Sequence, residues 1–116
     1  MNTQGAADAL KRFHLFNFFK NELYADFLLL QDTQTSQQLE QTWRLVWKGH
    51  IYFSHSYENS GGLAILAKPN LAFRFLGLKE IVKGRALYLK IEIDQRIYNL
   101  LNIYAPSKSD RRLDFF

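Results

Sequence analysis

Polar residues that directly follow apolar runs are where chemistry is most readily placed, because the ends of buried strands open onto ligand sites. Gln31 and Asp32 follow Phe27 to Leu30 without a spacer. A carboxylate there can serve as an oxygen ligand for a hard cation such as Mg²⁺, or as a cap for the turn or helix that follows. Asp is a favoured cap residue, so the local sequence weighs toward the cap. Asn102-Ile103-Tyr104-Ala105-Pro106 ends a later apolar run in the same way. Asn102 and Tyr104 are two residues apart and share one face of an extended chain, so an amide and a phenol could address a common site. The structural alternative is a tyrosine packed on a sheet end, where proline stops the ladder. His14, His50 and His55 have no partner at metal-binding or triad spacing and read as surface or core-edge residues. Lys79, Lys83 and Arg85 form one basic cluster, and Lys108, Arg111 and Arg112 form another. Such clusters are usually solvated surface, with a modest hint of phosphate contact.

These residues sit in a chain of 116 residues, the size of one small domain or part of a larger one. Hydrophobic residues make up 47% and charged residues 22%, a balance that excludes disorder, collagen and coiled-coil rods. There is no cysteine, which removes disulfides, thiol nucleophiles and zinc ribbons. No apolar run approaches the roughly 18 residues of a membrane span, so no membrane partner is expected. A net charge of +4 permits a polyanionic partner without requiring one. No basic run of the nuclear-import kind is present. Aromatic residues are abundant at 16%, and the ten Phe must be largely buried or form an apolar patch.

Residues 6–23 predict an amphipathic helix with Ala6, Ala9, Leu10, Phe13, Phe16 and Leu23 on its apolar face. Ala25 to Gln31 predicts a strand buried on both faces. Thr35-x-x-Gln38 has the form of a capping box, and Leu39, Trp43, Val46 and Trp47 share a stripe, so a second helix is expected over 36–47. After Gly49 the period changes to two, with strands over 51–56, 63–68, 71–78, 85–94 and 96–104. Leu87, Leu89, Ile91 and Ile93 alternate with Tyr88, Lys90, Glu92 and Asp94, which calls for one wet face. The last strand is apolar on both faces and reads as central. Gly61-Gly62, Pro69-Asn70 and Asp94-Gln95 are the turns. The expected architecture is α+β, one mostly antiparallel sheet with two helices packed on one face.

Taken in order, Asn2-x-x-Gly5, Leu30-Gln31-Asp32-Thr33, Ser60-Gly61-Gly62-Leu63-Ala64-Ile65-Leu66, Gly84-Arg85 and Asn102-Ile103-Tyr104-Ala105-Pro106 resemble the endonuclease/exonuclease/phosphatase superfamily. The stretch Trp43 to Leu66 is most similar to LINE-type non-LTR retrotransposon endonucleases. The resemblance covers about residues 2–116 and implies the N-terminal half of an incomplete DNase I-like sandwich, with most of the first strand and the C-terminal half missing. It further implies a Mg²⁺-dependent phosphodiesterase that nicks DNA, and a nuclear location if the retroelement role holds. Asn2 stands where the family has an asparagine near metal and phosphate. Asp32 matches its metal-binding Glu, and Tyr104 its tyrosine on the scissile phosphate. Arg85 and Asn102 would be further phosphate or DNA contacts.

Three departures follow. Asp32 is one methylene shorter than the family's Glu, which withdraws the carboxylate by about one C–C bond, ~1.5 Å, while Mg²⁺–oxygen distances are held near 2.0–2.1 Å. Most of the first strand is absent. Finally, the family's Gly-Asp-x-Asn motif and late Asp-His pair have no counterpart in these residues, and loss of a general base typically costs about 10²–10⁴ in rate. The implied function is a fragment of a retroelement-type endonuclease domain, inactive as this isolated chain. The alternatives are a non-catalytic nucleic-acid-binding module and another superfamily phosphatase or lipid phosphodiesterase.

The same incompleteness bears on stability. Leu87, Leu89, Ile91, Leu101 and Ile103 want a partner layer, and each large side chain left in water forfeits about 1.5–3 kcal/mol. A few such losses match the roughly 5–15 kcal/mol that holds a small domain together. The chain is therefore expected to be loosely folded or to associate through an exposed sheet face. Size-exclusion chromatography with hydrophobic-dye binding checks this, and a compact monomer that binds no dye would count against it.

Overall fold

The computed structural model describes residues 9–57 and 61–105. Their order is α1 (Ala9–Asn21), β1 (Phe27–Gln31), α2 (Gln37–Val46), β2 (Ile51–Ser54), β3 (Leu63–Ala67), β4 (Arg74–Val82), β5 (Ala86–Ile93) and β6 (Arg96–Ile103). The α+β expectation holds. The strands, however, divide into two three-stranded antiparallel sheets, ordered β1-β3-β2 and β4-β5-β6, where one sheet was expected. The result is a layered arrangement compatible with a partial sandwich: helices, first sheet, second sheet.

Period-two alternation decides which layer each strand face meets. In β1, Leu28 and Leu30 turn toward the helices, while Phe27 and Leu29 turn toward the second sheet. β3 is the middle strand of the first sheet and is buried along its whole length. Ala64 and Leu66 join the helix-side cluster, and Leu63 and Ile65 the inter-sheet cluster. β5 carries the clearest pattern, with Leu87, Leu89 and Ile91 buried against the first sheet and Tyr88, Lys90 and Glu92 turned outward. These three side chains thus find their partner layer within the chain. Leu101 and Ile103 of β6 do not, being 50% and 38% exposed.

The helical layer is held by aromatic rings. Phe16 meets the Trp43 ring edge-on with centroids 5.4 Å apart, and Phe19 stacks on Trp47 at 5.2 Å. Trp47 Nε1 donates to the Ala67 carbonyl at 3.0 Å, which ties the end of α2 to β3. Gly49 is required beside it, since a Cβ there would lie 2.1 Å from the Ala67 carbonyl oxygen. The buried face of α1 is Arg12, Phe16 and Phe19, rotated from the expected one: Leu10 and Phe13 are exposed. With apolar residues around most of its circumference, this helix has no sharp stripe to set its rotation, and the ring pockets of Trp43 and Trp47 select the face.

Other differences have local causes. The capping box does not form. Ser36, not Thr35, is the N-cap and makes no side-chain cap bond, and the Thr35 hydroxyl is bonded to Thr33 and His55 instead. β4 begins at Arg74 rather than at Leu71, whose N–H closes a turn onto the Lys68 carbonyl at 3.2 Å. β6 is an edge strand among the described residues, not a central one. Apolar residues on both faces of a strand report burial or exposure to another layer, not the presence of two neighbours. The Asp94–Gln95 turn is as expected, with φ of 51° and 65°, the left-handed pair that a two-residue hairpin needs. Burial between the sheets raises the pKa of the Tyr52 phenol above its ordinary value by disfavouring the charged form.

Buried polar side chains tie the two sheets together, and the one nearest the strand ends is Asn102. Asn102 of β6 is fully buried, and its Nδ2 donates to the Leu30 carbonyl at 3.0 Å and to the Ala64 carbonyl at 3.1 Å. Its Oδ1 accepts from Gln31 Nε2. Asn102→Ala would strand these partners and leave a void, so a loss of about 3–5 kcal/mol is expected. Urea unfolding checks this, and a midpoint within error of the parent would show that the amide does not hold the sheets.

Candidate functional site

The candidate site is a rim where β1 and β6 both end, assembled by backbone bonds between four loops. Asp32 and Gln34 follow β1 with φ of 56° each, a left-handed conformation that Asp adopts more readily than most residues. Asp32 is 7% exposed, and its Oδ1 accepts the Gly61 N–H at 2.8 Å. The Thr33 N–H donates to the Gly62 carbonyl at 3.2 Å and the Gln34 N–H to the Gly61 carbonyl at 2.9 Å. The Gly62 N–H in turn donates to the Gly84 carbonyl at 3.0 Å. Arg85, the next residue, accepts the Tyr104 N–H at its carbonyl at 2.8 Å.

This ladder brings Asp32, Gly61-Gly62, Gly84-Arg85 and Tyr104 to one rim. Tyr104 is partly buried and packs its ring against the inter-sheet cluster. Arg85 is half-buried in the β4–β5 turn. Asn102 lies beneath the rim rather than on it, with its amide directed to the first sheet. Asn2, Ser60, Pro106 and the basic residues Lys108, Arg111 and Arg112 lie outside the described residues. Of the two readings open for Asp32, the structure shows a carboxylate that secures the Gly61 loop. It does not cap α2, where Ser36 holds that position.

The donor set around Asp32 does not by itself make a cation cage. Mg²⁺ takes six oxygens in near-octahedral geometry, and no group of three His, Asp or Glu side chains placed to hold a metal occurs among the described residues. One Asp32 oxygen already accepts a backbone N–H.

A polar relay beside the rim escaped the sequence. Thr33 and Thr35 are buried, with their hydroxyls 2.9 Å apart, and Thr35 Oγ1 lies 3.1 Å from His55 Nδ1. His55 Nε2 lies 2.6 Å from a Glu40 carboxylate oxygen. The carboxylate accepts, so His55 donates to it from Nε2. Arg44 completes the relay 3.6 Å from Glu40. His55 and Glu40 come together only when α2 packs over β2, so no spacing in the chain signals the pair. His14 and His50 are exposed, as expected.

Fold and rim together define an α+β layered protein with one polar loop cluster at the ends of its strands. No protein-family profile matches the chain. All 116 residues align at 33% identity with a 149 kDa protein of transposon TX1 from Xenopus laevis, and span 9% of that protein's length. The chain is thus homologous, end to end, to one segment of a much longer transposon protein.

The Asp32–Gly61 bond has a measurable consequence. Hydrogen bonds to charged groups contribute about 1.5–3 kcal/mol, and Ala adds strain at a positive φ. Asp32→Ala should lose at least that much stability and speed hydrogen exchange at Gly61. Asp32→Asn, which keeps an acceptor and tolerates the left-handed region, should lose less. Equal stability of parent and Asp32→Ala would show that the carboxylate does not hold the loop.

Proposed function

We propose that this chain is the N-terminal part of a retroelement endonuclease domain of the endonuclease/exonuclease/phosphatase superfamily, and that its partner is DNA. The observation that carries the reading is the rim. Asp32, Arg85 and Tyr104 are separated by up to 72 positions in the sequence, yet a continuous set of backbone bonds gathers their loops at the ends of β1 and β6. The alignment of all 116 residues with a transposon protein supports the retroelement origin, and the Trp43 to Leu66 stretch is the reason to rank a phosphatase or lipid phosphodiesterase last.

The division of labour follows from the chemistry of phosphodiester cleavage. Donors must fix the phosphate, and charge must be stabilised where it develops. In this reading Arg85 and the Tyr104 phenol hold the phosphate, and Asn102 acts from below by fixing the strand that carries Tyr104. Asp32 supplies a carboxylate that a Mg²⁺ site would have to complete with oxygens from outside the described residues. A general base is also required, and the Gly-Asp-x-Asn and Asp-His elements that provide such groups in the superfamily do not occur in these 116 residues. The 116 residues alone therefore bind or position DNA without cutting it.

A second reading is a non-catalytic nucleic-acid-binding module, in keeping with an Asp32 oxygen that is already engaged by the Gly61 N–H. A plasmid-nicking assay separates the two. The 116-residue chain should leave supercoiled plasmid intact with Mg²⁺. A longer protein, in which these residues are followed by the Gly-Asp-x-Asn and Asp-His elements, should nick it with Mg²⁺ and not with EDTA. In that protein Tyr104→Phe and Asp32→Ala should each slow nicking by about 10²-fold. Undiminished nicking by the double variant would remove these residues from the site, and DNA binding without nicking by the longer protein would establish the binding module.

A further inference from the structure

We propose that Tyr57 and Lys83 form a stacking platform for an unpaired nucleobase, with the lysine ammonium serving the adjoining phosphate. The inference rests on the nucleic-acid reading above and deepens it by naming the ligand group this part of the rim would take. Tyr57 is 89% exposed, and the Lys83 ammonium lies 5.1 Å from the centre of its ring. An aromatic face in water beside a cation is the pairing that single-stranded nucleic acid uses, since every base has a π-face and every nucleotide a phosphate.

What distinguishes this tyrosine from an incidental surface residue is the frame that presents it. The Ser54 hydroxyl donates to Glu80 at 2.6 Å and accepts the Gly84 N–H at 2.7 Å, which binds the end of β2 to the β4–β5 turn. Gly84 has φ of +72°, and a Cβ there would lie 2.7 Å from Ser56 Cα, so the two segments touch backbone to backbone. Tyr57 is the next residue after that contact, and Lys83 the one before it. The ring and the ammonium are therefore projected from a single tightly closed junction, adjacent to Arg85 on the rim. Among the described residues Lys83 is paired with Glu80, at 3.9 Å, whose oxygen already accepts from Ser54. Lys79 and Arg85 add positive charge to the same hairpin.

The test is fluorescence anisotropy with the full 116-residue chain in EDTA, using a labelled single-stranded oligonucleotide and a matched strand with abasic positions. Stacking on an aromatic residue changes affinity by about 5- to 150-fold per base on removal of the ring. Tyr57→Ala should weaken binding by that factor and abolish the preference for bases over the abasic strand. Tyr57→Phe, which keeps the ring, should stay within roughly twofold of the parent. Lys83→Gln should weaken binding to both strands and reduce the salt slope by about 0.7. Tyr57 is almost wholly exposed, so its replacement does not disturb the core. Unchanged binding by Tyr57→Ala, or no binding of the single strand by the parent, would overturn the platform. Neither result depends on cleavage, so the plasmid assay decides the phosphodiesterase reading separately.

Discussion

Two sheets that meet through Leu, Ile and Phe side chains attract one another without a preferred alignment, because burial of apolar area is non-directional. Direction comes from polar ties: Ser54 bonds Glu80 and the Gly84 N–H, and near the strand ends the tie is Asn102. Its amide crosses from β6 to the carbonyls of Leu30 and Ala64, which are register partners on neighbouring strands of the first sheet, and it accepts from Gln31 on the same strand as Leu30. A buried amide must satisfy its donors and acceptor or cost several kcal/mol, so only one alignment of the two sheets is comfortable. That alignment brings the end of β6 to the end of β1.

The loop cluster depends on this alignment. Asp32 follows the strand that receives Asn102, and Tyr104 follows the strand that carries it. Once the strand ends are side by side, the glycine loops can exchange N–H and carbonyl groups across the gap. Two of those loops need positive φ at Gly62 and Gly84, and Asp32 adopts the same region while its carboxylate accepts from Gly61. A left-handed aspartate is a small local cost that is offset by a charge-assisted bond. The rim is thus rigid for the same reason that it is polar.

Much of this was legible from local pattern. The alternation in β5 announced one wet face because each inward residue has an outward neighbour of opposite character, and the hairpin turn at Asp94–Gln95 followed from residue types that accept left-handed φ. Where residues lack contrast, pattern failed. α1 is apolar on too many sides to indicate its buried face, and Leu10 and Phe13 ended in solvent. β6 is apolar on both faces, a pattern that suggests a central strand, but its outer residues Ile97 and Leu101 are half exposed. Thr35 has the spacing of a capping box, but its hydroxyl faces a histidine twenty residues away.

By itself the sequence determined the element types, the change from helical to two-residue periodicity after Gly49, and the chemical character of the strand ends, since each depends on neighbours within a few positions. Only the tertiary structure decided that the strands form two sheets, that Asn102 is a buried tie and not a surface contact, and that Thr35, His55 and Glu40 make one relay. Those outcomes depend on which layers face each other. That choice is made by packing and by buried polar groups finding partners far along the chain, and no local spacing encodes it.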